Sequence, residues 1–129
     1  MLKVIVSGAA GRMGRSLVLG VQESDKFTLS GALESEGNES LGLDAGELAG
    51  IGKTGVLLSP RDESLIEQAD VMIDFSSPAA SISNAEICAE FGTALVIGTT
   101  GIDSEQEDGL RKCAKEVPIF MSPNMSLGM

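Results

Sequence analysis

Three evenly spaced glycines stand in Val6-Ser7-Gly8-Ala9-Ala10-Gly11-Arg12-Met13-Gly14, between an apolar run and a helical pattern. That context suits a backbone that must come close to phosphate. The first glycine permits a tight turn, the middle one leaves room for a pyrophosphate, and the third lets the helix pack on the strand. The N–H groups opening that helix, with about half a positive charge from its dipole, attract an anion. Gly8, Ala9, Ala10, Gly11, Arg12, Met13 and Gly14 are therefore candidate dinucleotide-binding positions, with Arg12 either on a phosphate or facing solvent. Glu34 follows Gly14 at the separation, about 20 residues, where an acid accepts hydrogen bonds from the adenosine ribose. Ser35 stands next, where an arginine would meet a 2′-phosphate. Its neutrality leans the cofactor toward NADH over NADPH, although Lys53 and Arg12 are other sources of charge.

Two further segments end apolar runs. Asp74-Phe75-Ser76-Ser77-Pro78 is both a capped helix start and, through Phe75, Ser76 and Ser77, a candidate wall beside the adenosine or its ribose. In Gly98-Thr99-Thr100-Gly101, two glycines around two threonines let backbone groups approach a flat ring and orient a carboxamide. A plain strand-to-helix turn is the alternative. Pro123, Asn124 and Met125 leave the last strand in the same row, lining a nicotinamide pocket or acting as a hinge.

The elements that must position these residues follow from hydrophobic period. Leu2–Val6 reads as a strand buried on both faces, and Arg12–Glu23 as a helix with Met13, Leu17, Val18 and Val21 inward. Phe27–Leu33 is a second strand. Residues 35–54 read as a long, polar, glycine-rich surface excursion with a short helix near Asp44–Leu48, and such loops are functional or mobile. Strands are expected at Gly55–Leu58, Val71–Phe75, Ala94–Ile97 and Val117–Met121, and helices at Arg61–Gln68, Pro78–Phe91 and Ser104–Glu116. Strands alternating with helices specify an α/β fold, a doubly wound, Rossmann-type parallel sheet with helices on both faces, over residues 1–129 as one domain.

Composition narrows the chemistry. The 129 residues are 43% hydrophobic but only 3% aromatic, so the core must be aliphatic. A net charge of −10 disfavours nucleic acid and anionic membranes as partners, and a dinucleotide must be held by local donors. The chain has no histidine, and Cys88 and Cys113 lack ligand spacing, so no metal site is expected and the cysteines read as free thiols. The N-terminal apolar run is broken at Gly8, and no run reaches the ~20 residues of a membrane span, which predicts a soluble, cytoplasmic protein.

These segments taken in order, with Ala32-Leu33-Glu34, Asp44-Ala45-Gly46-Glu47-Leu48, Gly52-Lys53-Thr54-Gly55-Val56 and Pro123-Asn124-Met125-Ser126-Leu127-Gly128, resemble the 4-hydroxy-tetrahydrodipicolinate (dihydrodipicolinate) reductases. The resemblance runs through the whole chain. It implies a reductase of the diaminopimelate route to lysine, using NADH or NADPH and assembling as a cytoplasmic homotetramer. It places Gly8, Arg12, Met13 and Gly14 at the pyrophosphate, Glu34 at the ribose, Phe75 and Ser76 beside the adenosine. Gly98, Thr100, Pro123, Asn124 and Met125 fall on the nicotinamide side. Family members that use NADPH well carry arginines where Ser35 and Ser77 stand here, which adds to the lean toward NADH. The family's substrate domain, with a His-His pair, a lysine and a Gly-Thr carboxylate anchor, has no counterpart in residues 1–129. The expectation is a cofactor-binding portion that binds dinucleotide, carries no catalytic residue and meets the small-molecule substrate only with the missing domain. Two other classes use such a turn: extended short-chain dehydrogenases, which need a tyrosine this chain lacks, and dinucleotide-sensing modules without catalysis.

Overall fold

The computed structural model describes residues 1–121. Along the chain run β1 (Leu2–Ser7), α1 (Arg12–Glu23), β2 (Phe27–Leu33), α2 (Ala45–Leu48), β3 (Leu58–Ser59) and α3 (Glu63–Gln68). They are followed by β4 (Val71–Asp74), α4 (Pro78–Phe91), β5 (Ala94–Ile97), α5 (Ser104–Cys113) and β6 (Ile119–Met121). All six strands are parallel, in the order β3-β2-β1-β4-β5-β6. This is the doubly wound sheet expected from the alternation. The strand order reverses between β1 and β4, and the crevice beyond their carboxyl ends is where such sheets gather ligands.

Alternation along β1 divides the core in two. Val4 and Val6 point to the layer of α1, where they meet Val18, Val21, Leu29 and Ala32. Ile5 points to the opposite layer, with Ile66 of α3, Ala85 and Cys88 of α4, and Leu110 of α5. Each fully buried Val, Leu or Ile contributes about 1.5–3 kcal/mol relative to exposure. In β2 the alternation is reset. Leu29 pairs with Val4 but Gly31 pairs with Ile5, so Ser30 is an extra residue that shifts the register. Leu29 and Ala32 therefore share the α1 layer despite an odd spacing, and Leu33 joins the other one.

Several boundaries differ from expectation for identifiable reasons. On α1 the inward residues are Gly14, Val18 and Val21, with Leu17 partly buried against the same core, whereas Met13 is exposed. Leu2 and Lys3 are exposed at the start of β1. Asp62 caps α3 by accepting from Ser64 N, so that helix begins at Glu63 and leaves Arg61 in the preceding loop. The segment expected as a strand from Gly55 instead folds back, with Ala45 N donating to Val56 O (2.8 Å) and Leu58 N to Leu43 O (2.9 Å). Only Leu58 and Ser59 then remain to pair with β2.

That fold-back makes the glycine-rich excursion a pinned structure rather than a free surface loop. Its anchor is Asp44, only 5% exposed. The carboxylate accepts from Gly46 N (2.8 Å), Glu47 N (3.2 Å), Thr54 N (3.0 Å), Thr54 Oγ1 (3.1 Å) and Gly55 N (2.9 Å). Foremost among these, the Thr54 N–H holds the carboxyl far below the usual carboxylate range, against the opposing effect of burial. A carboxyl depressed in the folded state contributes stability that is complete above its unfolded pKa, about 3.9, and is lost as pH falls through the folded value. Asp44→Asn is therefore expected to lower the thermal midpoint by several degrees at pH 7. Its gap from the unaltered chain should narrow as melts are taken at pH 4, 3 and 2. A gap independent of pH would exclude the charge as the cause.

Candidate functional site

The carboxyl ends of β1, β2 and β4 surround a cavity of about 850 Å³. It is lined on one side by Gly8, Ala10, Gly11, Glu34 and Ser35, and on another by Phe75, Ser76 and Ser77. The sequence-derived candidates on these three strand ends are thus brought together in one space.

The turn beneath it is built by close approach. Gly8 adopts φ +83°, and a Cβ there would lie 2.6 Å from the Phe75 carbonyl oxygen. At Gly14 a Cβ would collide with the Gly8 carbonyl oxygen. Only hydrogen at these two positions lets α1 and the β4 end close on the turn. Ala9 is buried behind it, while Arg12 and Met13 are exposed and lie outside the cavity wall.

The start of α1 is unlike the other helix starts. Asp44, Asp62, Ser77 and Asp103 each cap their helices with a side-chain oxygen. Gly11 offers none, and the first turn of α1 carries no acid. Among the described residues, α1 alone leaves its initial N–H groups to water or to a ligand. Next to it, Glu34 is held in place by the backbone: Oε2 accepts from Ala10 N and Oε1 from Ser35 N, each at 3.0 Å. Each oxygen keeps acceptor capacity for a further donor.

Below the cavity lies a buried polar network. Asn84, on the inner face of α4, donates through Nδ2 to Asp74 Oδ2 (3.1 Å) and to Ser7 Oγ (3.2 Å). Asp74 is fully buried and also accepts from the N–H and the hydroxyl of Ser76. Arg61 Nε donates to Asn84 Oδ1 at 2.8 Å. No buried side-chain polar atom among the described residues lacks a partner. The network ties β1, β4 and α4 together, so the cavity floor is rigid. Burial, and secondly the charge of Asp74, pushes the Cys88 thiol up to about 12, so it stays protonated. Both cysteines are free, as expected from their spacing.

The nicotinamide-side candidates are placed differently. Gly98 and Thr99 are buried, Thr100 is exposed, and none lines the cavity. Thr99 Oγ1 accepts from Ser81 Oγ (2.8 Å) and donates to the Asp74 carbonyl (3.4 Å), which locks this turn to α4. The flat ring that Gly98 admits is that of Phe75, into which a Cβ would run. Pro123, Asn124 and Met125 lie outside the described residues. Lys53 and Arg12, the alternative sources of charge, do not reach the cavity; Arg61 does. The sequence-derived placement of Arg61 inside a helix concealed it, although its position just after β3 puts it at the carboxyl edge. Nothing in the sequence analysis singles out Asn84; its place among the buried Ser81, Ala85 and Cys88 of α4 is the signal that could have found it.

No helix among the described residues is long and apolar enough to cross a membrane, and none of their acidic and cysteine side chains form a metal-binding group.

Residues 2–125 match the family described as "Dihydrodipicolinate reductase, N-terminus". The chain is 41% identical over all 129 residues to the 4-hydroxy-tetrahydrodipicolinate reductase of Citrifermentans bemidjiense, and 40% identical to that of Geobacter sp. strain M21. It covers 48% of each, so it spans about half the length of these relatives. A dipicolinate-bound dihydrodipicolinate reductase from Paenisporosarcina sp. TG-14 superposes with a TM-score of 0.74 at 25% identity, over 99% of this chain and 49% of that one. With the match extending over nearly its whole length, the chain belongs to the dihydrodipicolinate reductase family, as its N-terminal domain.

Proposed function

We propose that this chain is the nicotinamide-dinucleotide-binding domain of a 4-hydroxy-tetrahydrodipicolinate reductase, with NADH as the preferred cofactor. The uncapped start of α1 opening onto the cavity carries the proposal. It presents unpaired N–H groups and a positive dipole end to a space whose walls include Gly8, Ala10, Gly11, Glu34, Ser76 and Ser77. The pyrophosphate takes the α1 amides. Glu34, already oriented by Ala10 and Ser35, accepts the adenosine ribose hydroxyls. Gly98–Thr100, fixed to α4 through Thr99, border the nicotinamide end together with Pro123–Met125.

When bound, the reduced nicotinamide supplies a hydride to the C=N-containing ring of a dihydrodipicolinate-type substrate. Residues 1–129 bind and orient; with neither histidine nor tyrosine present, substrate anchoring and protonation fall to a separate substrate domain. Preference for NADH rests on the neutral Ser35 and Ser77 and on Glu34 and Glu36, which repel a 2′-phosphate. Isothermal titration of the 129-residue chain is expected to give a lower Kd for NADH than for NADPH. No NADH oxidation should follow when substrate is added. Absence of heat with both cofactors would overturn the proposal, and tighter NADPH binding would overturn the preference.

A further inference from the structure

Arg61 has no role in the dinucleotide contacts assigned so far. It follows β3, lines the cavity beside Ser35, Glu36 and Asn38, and faces a wall formed by Ala79 and Ala80 at the start of α4. Its guanidinium is fixed along one edge. Nε donates to Asn84 Oδ1 at 2.8 Å and Nη2 to the Ala80 carbonyl at 3.3 Å. Asn84 is itself buried and held by Asp74 and Ser7, so the anchor is rigid. A guanidinium held by two acceptors in this way keeps its flat face and Nη1 for other use.

The path of a dinucleotide decides what meets that face. With the pyrophosphate on α1 and the ribose on Glu34 at the end of β2, the group left to extend toward β3 is the base. Planar cations pack well on nucleobase rings, because a guanidinium is weakly hydrated and can stack as well as attract. We propose that Arg61 forms the adenine subsite, stacking its guanidinium on the base between the β3 end and the first turns of α4. This rests on the dinucleotide-binding function proposed above. Stacking on adenine is indifferent to phosphorylation of the ribose, so the contact serves NADH and NADPH alike.

Titrations of the 129-residue chain with NADH and with NADPH test it, using Arg61→Ala and Arg61→Lys, with circular dichroism and thermal melts on each variant. Arg61→Ala is expected to weaken both cofactors by a similar factor, roughly five- to thirty-fold. Arg61→Lys keeps the charge and a donor for Asn84, so it should fold as the unaltered chain does. It should still lose at least about half of that effect on a logarithmic scale, because an ammonium has no flat face. Lysine binding both cofactors like arginine would overturn the stacking. So would a loss confined to NADPH, which would instead mark a 2′-phosphate contact, or binding unchanged in both variants. If the unaltered chain binds neither cofactor, the dinucleotide function itself fails, an outcome distinct from these.

Discussion

Alanine at position 14 is expected to abolish NADH binding and to lower the thermal midpoint by roughly 5–20 °C. The added methyl would meet the carbonyl oxygen of Gly8 and the Cα of Ala9, both backbone atoms of a turn that is itself pressed against Phe75. Nothing on either side can rotate away, so α1 must move off the turn, and overpacking of this kind costs about 1–3 kcal/mol. Gly11→Ala provides the contrast. A Cβ there would sit 3.4 Å from the Gly8 oxygen, an ordinary contact, and Gly11 already has an extended conformation open to any residue. Its methyl would instead enter the cavity where the pyrophosphate is proposed to lie. We expect Gly11→Ala to melt as the unaltered chain does while binding NADH at least about tenfold more weakly. Unchanged affinity in Gly11→Ala, measured by titration, would move the phosphates elsewhere.

The second large effect is expected at Asn84. Leucine there is close in volume but strands Asp74 Oδ2 and Ser7 Oγ in a buried place and frees Arg61 Nε from its acceptor. A hydrogen bond to a charged group contributes about 1.5–3 kcal/mol, and an unsatisfied buried partner adds to the loss. The total expected is about 3 kcal/mol, read as a fall of roughly 10 °C or more in the melting midpoint. Asn84→Asp should be at least as damaging, because it sets a second carboxylate against a fully buried one. A midpoint within a degree or two of the unaltered chain for Asn84→Leu would mean that water replaces the amide.

Much of this was legible in the order of residues. Gly8 and Gly14 announce themselves because close approach of two backbones admits only hydrogen, a demand that leaves one residue type at a fixed spacing. Glu34 was readable from its separation from the turn, and α4 from Ser77-Pro78. What escaped depends on contacts between distant segments. Asp44 gains its role from Thr54 and Gly55, which the intervening glycines return to it. Two of the motifs that carry the family resemblance therefore meet, and they do so to pin a loop. Arg61 and Asn84 lie 23 residues apart, and their hydrogen bond follows from the packing of α3 against α4. At Gly98 the sequence suggests room for a cofactor ring, whereas the ring the structure places against it is that of Phe75. Local pattern shows which positions need special geometry and leaves open which partner occupies the space.

The irregularity at Ser30 bears on how this strand tolerates change. Side chains along β2 are assigned to a face by their pairing with β1, and the unpaired residue alters the count along the strand by one before Glu34 is reached. Exchanging Ser30 for another polar residue leaves the count intact. Removing it would leave Leu29 and Ala32 two apart, on one face by ordinary alternation, so that Ala32 would stay with α1, Leu33 with α3 and α4, and Glu34 beside Ala10, and the strand would lose only its local irregularity. Which way the rest of β2 faces is decided by its pairing with β1, and neither the identity nor the presence of the residue at this position alters it.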